Sequence, residues 1–303
     1  MRILRTGRRR REGGVVLILV LVVVLVLSAV LIEFNYETTL DLGAAAGATA
    51  GRQALACADA GIQVALAALR NADHVFRDDT LRPIVTGDAR LDVGEGHCRI
   101  FVSAENGRLN INALKPRGGQ PDRRRCEQLL RLIDLLNVQP GAEEPISYAI
   151  VPAMIDWADE DDDTTVLSYV EGENEGAEQG WYETRKPVRR CKNAPFDTVA
   201  ETALLRGMTP LALDGRPGDR EGKRPALLGL RPFLTVWGDG KVDINHAPAP
   251  VLQSLSEKLD AALARDIVAQ RGERPFESVN ELLAVPGMTR ELFSAIRDYV
   301  TVS

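Results

Sequence analysis

Residues 8–19 read RRRREGGVVLIL, and the apolar run they open continues without a charge to Ile32. Residues 15–32 are dominated by Val and Leu. Eighteen such residues are about the shortest helix that crosses a hydrocarbon core. Six arginines (Arg2, Arg5, Arg8, Arg9, Arg10, Arg11) precede the run, and Glu33, Glu37 and Asp41 follow it. That asymmetry predicts a cytoplasmic N-terminus with the bulk of the chain across the membrane. A cleaved secretory signal has a shorter apolar core and a small-residue cleavage site. This run is too long for one, although Ser28-Ala29 offers small residues near its end.

Working outward, apolar residues recur at helical spacing through Phe34, Leu40, Leu42, Ala44, Ala54, Leu55, Ala58, Ile62, Ala65, Leu66 and Leu69. Gly43, Gly47, Gly51 and Gly61 weaken a helix, yet no proline occurs before Pro83. The pattern predicts one helix of some 55 residues, roughly 80 Å long at 1.5 Å per residue, first in the membrane and then amphipathic. Beyond a polar stretch, residues 97–103 read as a strand, Asn106-Gly107 as a tight turn and residues 109–113 as the return strand. The same pattern recurs at 233–237, Gly238-Asp239-Gly240 and 242–247. PFDTVAETALLRGMT (195–209) and PFESVNELLAVPGMT (275–289) align without a gap. Two degenerate copies follow, each expected to run from a hairpin through a helix (126–136; 250–271) to a Phe-led helix, and each a small helical bundle.

The first copy is longer and carries DWADEDDD (156–163) and EGENEGAEQGWY (171–182). Such carboxylate density is self-repelling unless a cation or arginines neutralise it. Calcium, which takes six to eight oxygens, is the natural candidate outside the cytoplasm. The spacing is not that of an EF-hand: counting from Asp159, position six is Thr164 and position twelve is Val170. A solvated acidic loop is the alternative from composition alone. Setting aside residues 1–14, which hold six arginines and one glutamate, leaves 31 basic and 42 acidic side chains, a net charge of about −11. A body this acidic is a poor binder of nucleic acid. Residues 284–296 resemble a helix-hairpin-helix turn at Gly287, with Arg271, Arg274, Arg290 and Arg297 nearby, but a simple turn between packed helices explains them better, given the net acidity and the lack of aromatic stacking residues nearby. His74, His97 and His246 have no nucleophile or metal-ligand partner at a telling spacing, so catalysis is not expected. Four cysteines, Cys57, Cys98, Cys126 and Cys191, allow three disulfide connectivities in an oxidising compartment.

A basic leader ending in glycine and running into an apolar helix resembles the class III signal of type IV pilins and pseudopilins. The resemblance implies cleavage by a prepilin peptidase after Gly14 and methylation of Val15. Members of that group usually carry glutamate at the fifth mature position, where this chain has Leu19, or Ile18 if the cut follows Gly13. That glutamate is thought to pair with the terminal amine of a neighbouring subunit, and an unpaired buried amine is costly. A subunit lacking it fits where no further subunit lies outside it, at a fibre tip. Together with LNINAL (109–114), DWADED (156–161), GAEQGWY (176–182), PFDTVAE and VDINHAP (242–248), the leader makes the chain similar to the minor pseudopilin K family of the type II secretion system.

The resemblance implies an α+β fold. A pilin-like long N-terminal helix would pack on a small antiparallel sheet, with a large inserted helical domain holding two degenerate SAM-like or helix-hairpin-helix-like units. It implies calcium in the insertion, with Asp159, Asp161 and Glu178 as the first ligands and Asp156, Asp163, Glu173 and Glu175 as alternates. It further implies Cys126 paired with Cys191, and Cys57 with Cys98. The implied segments are 1–14 (leader), 15–36 (transmembrane and assembly helix), 37–112 (pseudopilin helix and strands), 113–228 (inserted domain) and 229–303 (second hairpin and helical unit). The implied partners are minor pseudopilins I and J, the major pseudopilin and the inner-membrane assembly platform, with no nucleic acid. The chain would be single-pass in the bacterial inner membrane, with a periplasmic C-terminal domain. Members commonly continue with further strand after the second helical unit, whereas this sequence ends at Ser303. A tip minor pilin of a type IV pilus and a membrane-tethered DNA receptor are the rival readings.

Overall fold

Helix α1, Glu12–Asn71, runs for 60 residues without interruption. It carries the apolar run straight into the soluble part, as its spacing predicts. The computed structural model describes residues 12–71, 82–116, 118–219 and 225–302. The basic leader up to Arg11 and His74 therefore lie outside the described residues. Gly43, Gly47 and Gly51 have open space where a Cβ would be, so they leave the helix intact without being required by a neighbour. The segment Val16–Arg70 is long and apolar enough to cross a membrane, and Val16, Leu17, Ile18 and Leu19 are each more than 60% exposed.

The chain divides into two compact units, Met1–Ser103 and Ala104–Ser303. In the first, α2 (Arg82–Val85) leads to an antiparallel hairpin of β1 (Leu91–Val93) and β2 (Gly96–Cys98). The hairpin turns at Gly94, whose φ of 58° suits glycine. It packs on α1 through small residues: a Cβ at Gly61 would stand 2.9 Å from Cys98 Sγ, and one at Gly96 would stand 2.5 Å from Cys57 Sγ. The strand expected over 97–103 is thus shorter, and it pairs with the segment before it rather than with 109–113.

The second unit runs through β3 (Leu109–Asn110), α3 (Arg123–Asn137), α4 (Ile150–Ala158), α5 (Gln179–Glu183), α6 (Pro210–Asp214) and β4 (Leu234–Thr235). It continues with β5 (Val242–Asp243), α7 (Ala249–Ser254), α8 (Ala261–Glu273), α9 (Arg290–Ile296) and β6 (Val300–Thr301). Neither expected hairpin of this unit forms. Instead β3 pairs parallel with β4, and β5 pairs parallel with β6. Each copy is therefore closed by a strand at its own end. The closing segments match in sequence, RPFLTV at 231–236 and RDYVTV at 297–302, and each begins with a 3₁₀ turn. Val300 and Thr301 thus supply the partner strand of β5.

Asn106-Gly107 lies in a 3₁₀ turn, and the backbone of His246 approaches so closely that a Cβ at Gly107 would meet it at 2.6 Å. The helix expected over 250–271 is broken between α7 and α8, where the Asp260 side chain accepts from the N–H groups of Ala262 and Leu263 and starts a new helix. One apolar core spans 113–228 and 229–303, joining Leu129, Leu132 and Ile133 of α3 to Val251 and Leu252 of α7 and Ile296 of α9.

The two copies share internal hydrogen bonds as well as sequence. Asn112 Oδ1 accepts from the Phe196 N–H at 2.8 Å, and its Nδ2 donates to the Phe196 carbonyl at 3.0 Å. Asn245 brackets Phe276 in the same way, at 2.9 Å for each bond. These pairs seat the Phe-led 3₁₀ turns, Val199–Leu204 and Val279–Ala284. After them Gly207 and Gly287 turn at φ near 80–90°, and Thr209 and Thr289 cap α6 and α9.

Candidate metal centre

Helix α4 is built almost wholly of buried side chains from Ile150 to Trp157, so its end is fixed in the core. Asp159 stands at its C-cap, and the acidic residues that follow leave the core as a loop. The loop is closed by an isolated bridge between Val166 and Glu175, and by Gly176 N–H donating to the Thr165 carbonyl at 3.0 Å. Asp156, fully buried, ties the arms: its Oδ1 accepts from the Thr165 N–H at 2.9 Å. Its Oδ2 presses against Gly176, where a Cβ would lie only 2.1 Å away. The closed loop returns Glu178, at the N-cap of α5, to the end of α4.

Asp159, Asp161 and Glu178 thereby converge, with one carboxylate oxygen from each within 4.8 Å of the others. They are the three residues that the resemblance ranked first. The alternates stand apart from this group. Glu173 accepts from the Ser147 hydroxyl at 2.7 Å, Glu175 faces Arg206 at 3.8 Å, and Asp163 contributes its backbone N–H to Asp161 Oδ1 at 3.0 Å. Asp156 supports the loop from behind.

Two residues that sequence reasoning passed over complete the centre. Lys115 Nζ reaches Asp159 Oδ2 at 2.5 Å and Asp161 Oδ2 at 3.0 Å. Asn193, at φ 47°, donates to the Asp161 carbonyl at 3.1 Å and to Asp162 Oδ1 at 3.0 Å. Asparagine tolerates that backbone region, which is the signal its sequence position carried.

The electrostatics are those of an under-neutralised cluster. Burial pushes the Glu178 carboxyl up to about 8, aided by repulsion from Asp156, Asp159, Asp162 and Asp161. Burial lifts Asp156 to about 6 against its hydrogen bonds to Thr165. Asp159 is also raised, burial outweighing Lys115, whereas the Lys115 ammonium holds Asp161 below its ordinary value. The lysine is itself raised: burial opposes its charge, but hydrogen bonds to the two aspartates outweigh that.

Seven buried side-chain polar atoms among the described residues lack a hydrogen-bond partner, and five lie here: Asp156 Oδ2, Asp159 Oδ1, both Glu178 oxygens and Asn193 Oδ1. Buried oxygens without donors are expensive. Hard oxygen donors of this kind suit a calcium-like cation better than a transition metal. The residues present therefore fit a hard divalent ion.

All four cysteines are free thiols, and neither expected pair is joined. Cys126 hydrogen-bonds with Tyr169, and burial pushes its thiol up to about 11. Cys191 faces the Asp156 carbonyl at 3.6 Å and is pushed up to about 12 by burial. Cys57 lies over Gly96 and Cys98 over Gly61, so that pair is offset along both helix and strand.

The architecture is a long apolar helix, long enough to cross a membrane, that carries a hairpin and is followed by a larger unit with an acidic centre. Two family models, both described as type II secretion system protein K, match residues 107–214 and 242–303. The "Type II secretion system protein K" of Pseudomonas aeruginosa is 30% identical over 284 residues, spanning 90% of this chain and 76% of that protein. The crystal structure of the GspK-GspI-GspJ complex from enterotoxigenic Escherichia coli has a chain of similar fold, at TM-score 0.58 and 21% identity, covering 83% of this chain and 82% of that one. This chain belongs to the type II secretion system protein K family and is a minor pseudopilin of type II secretion.

Proposed function

We propose that the chain occupies the tip of the pseudopilus, where it starts assembly together with minor pseudopilins I and J. The observation that carries this is Leu19, apolar where a shaft subunit needs a carboxylate, on a helix that continues unbroken into the folded part. A buried terminal amine further out would find no partner in this subunit, so nothing can sit beyond it. The Escherichia coli structure of similar fold holds its K subunit with I and J, which supports the same companions here. The reading includes cleavage after Gly14 by the prepilin peptidase, methylation of Val15, and insertion with a periplasmic C-terminal domain. It also includes contacts with the major pseudopilin and the inner-membrane assembly platform.

In the same reading Asp159, Asp161 and Glu178 hold calcium. The ion would neutralise the carboxylates and tie the end of α4 to the start of α5. Tip placement is tested by tagging the C-terminus for gold labelling in cells that overproduce pseudopili. Labels are expected at one end of each fibre, with few fibres when the chain is removed. Labels spaced along the shaft would sink the proposal.

A further inference from the structure

We infer that Lys115 is the resident counter-ion of the acidic centre, and that a divalent cation enters by displacing its ammonium. The inference rests on the calcium reading above. Lys115 Nζ is in direct contact with Asp159 Oδ2 and Asp161 Oδ2, which belong to two of the three convergent residues. Calcium draws carboxylate oxygens to about 2.3–2.6 Å, so it needs the space that the ammonium fills. Holding both cations there together is unfavourable, because a partly buried pair of like charges is poorly screened. The side chains of Lys115 and Asp159 are only 17% and 7% exposed.

The ammonium does not account for the whole centre. Glu178 is 6% exposed and has no hydrogen-bond partner on either oxygen, so the cluster presents donors that Lys115 leaves unused. The lysine also has somewhere to go. It lines a cavity of about 440 Å³ that borders Asp159 and Asp161 and also reaches Pro116, Gly119, Gln120 and Glu160, so the ammonium can swing aside within it. A flexible four-carbon stem moves a charge that far without moving the backbone. Exchange of one cation for another sets calcium affinity lower than the bare carboxylates would.

The full chain in detergent micelles is titrated with calcium against a fluorescent chelator, as parent, Lys115→Met and Lys115→Arg. Lys115→Met is expected to bind about tenfold tighter or more, while Lys115→Arg, which keeps the charge, stays within about threefold of the parent. In EDTA, Lys115→Met is expected to melt below the parent, and saturating calcium is expected to reverse that order. Equal or weaker binding by Lys115→Met overturns displacement and leaves the calcium reading standing. Absence of binding in all three proteins overturns both.

Discussion

Glu178 shows how much one residue concentrates. Its carboxyl, ordinarily near 4.5, is pushed up to about 8 by burial and four neighbouring aspartates. The folded chain therefore keeps a proton that the unfolded chain releases near 4.5. Between about 4.5 and 8 the unfolded state binds fewer protons, so stability falls as pH rises through that window. Asp156, raised from 3.8 to about 6, adds to the same trend at its lower end. In EDTA the melting temperature of the full chain in micelles is expected to drop from pH 5 to pH 8, and Glu178→Gln to flatten the profile. On the calcium reading proposed above, calcium at 100 times its dissociation constant is expected to add about 2.7 kcal/mol at pH 8. The Asp159→Ala, Asp161→Ala double variant removes that difference, and a parent indifferent to EDTA would remove the calcium reading. The acidic stretch was legible in the sequence because carboxylate density in a folded segment demands a counter-charge, whereas the choice of Asp159, Asp161 and Glu178 within it came from the family resemblance. Lys115 was not legible, since 44 residues separate it from Asp159 and only the tertiary fold joins them. Gly176 was hidden similarly: its need for hydrogen in place of a methyl arises from Asp156, 20 positions earlier in the sequence.

At the scale of elements, the repeat was legible but its boundaries were not. Asn106-Gly107 and Gly238-Asp239-Gly240 look like hairpin turns because their local chemistry permits tight turns. Strand pairing, however, is decided by partners far along the chain, and here each two-residue strand finds its mate at the end of its own copy. The alternation around the turns carried no information about that choice. The closing match of RPFLTV with RDYVTV did carry it, and reading those segments as partners of LN and VD would have predicted the parallel pairs. The asparagines that follow the opening strands hold each copy together. Asn112→Ala leaves the Phe196 N–H and carbonyl unpaired and also loses a 3.1 Å bond to the Val236 carbonyl. It should cost about 2–4 kcal/mol. Asn245→Ala, with two bonds to Phe276, should cost about 1–3 kcal/mol. Urea unfolding of the full chain in micelles checks both. A parental midpoint in either variant would show that the bracket is incidental in that copy.

For the whole molecule, the long helix divides its work at the end of the apolar run. Beyond Ile32 it carries the hairpin through Cys57 and Gly61, small residues that let strand and helix approach closely, and α2 through Ala68, which packs with Val85. Before Ile32 it presents Val, Leu and Ile on every side, with the central window wholly unburied by the protein itself. Such a surface is stable only in lipid or against other apolar helices. Sixteen of residues 15–32 are Val, Leu or Ile. At about −0.4 kcal/mol each on an insertion scale, they supply roughly −6 kcal/mol, whereas one central arginine costs about +3. A single Val24→Arg should therefore leave the chain in the membrane pellet after alkaline carbonate extraction. Adding Val20→Arg and Leu27→Arg brings the cost to roughly +9 kcal/mol, and this triple variant should move to the supernatant. Release by Val24→Arg alone would mean that the run is held by packing with other subunits more than by lipid, because an arginine facing a neighbouring helix has no interface to snorkel towards.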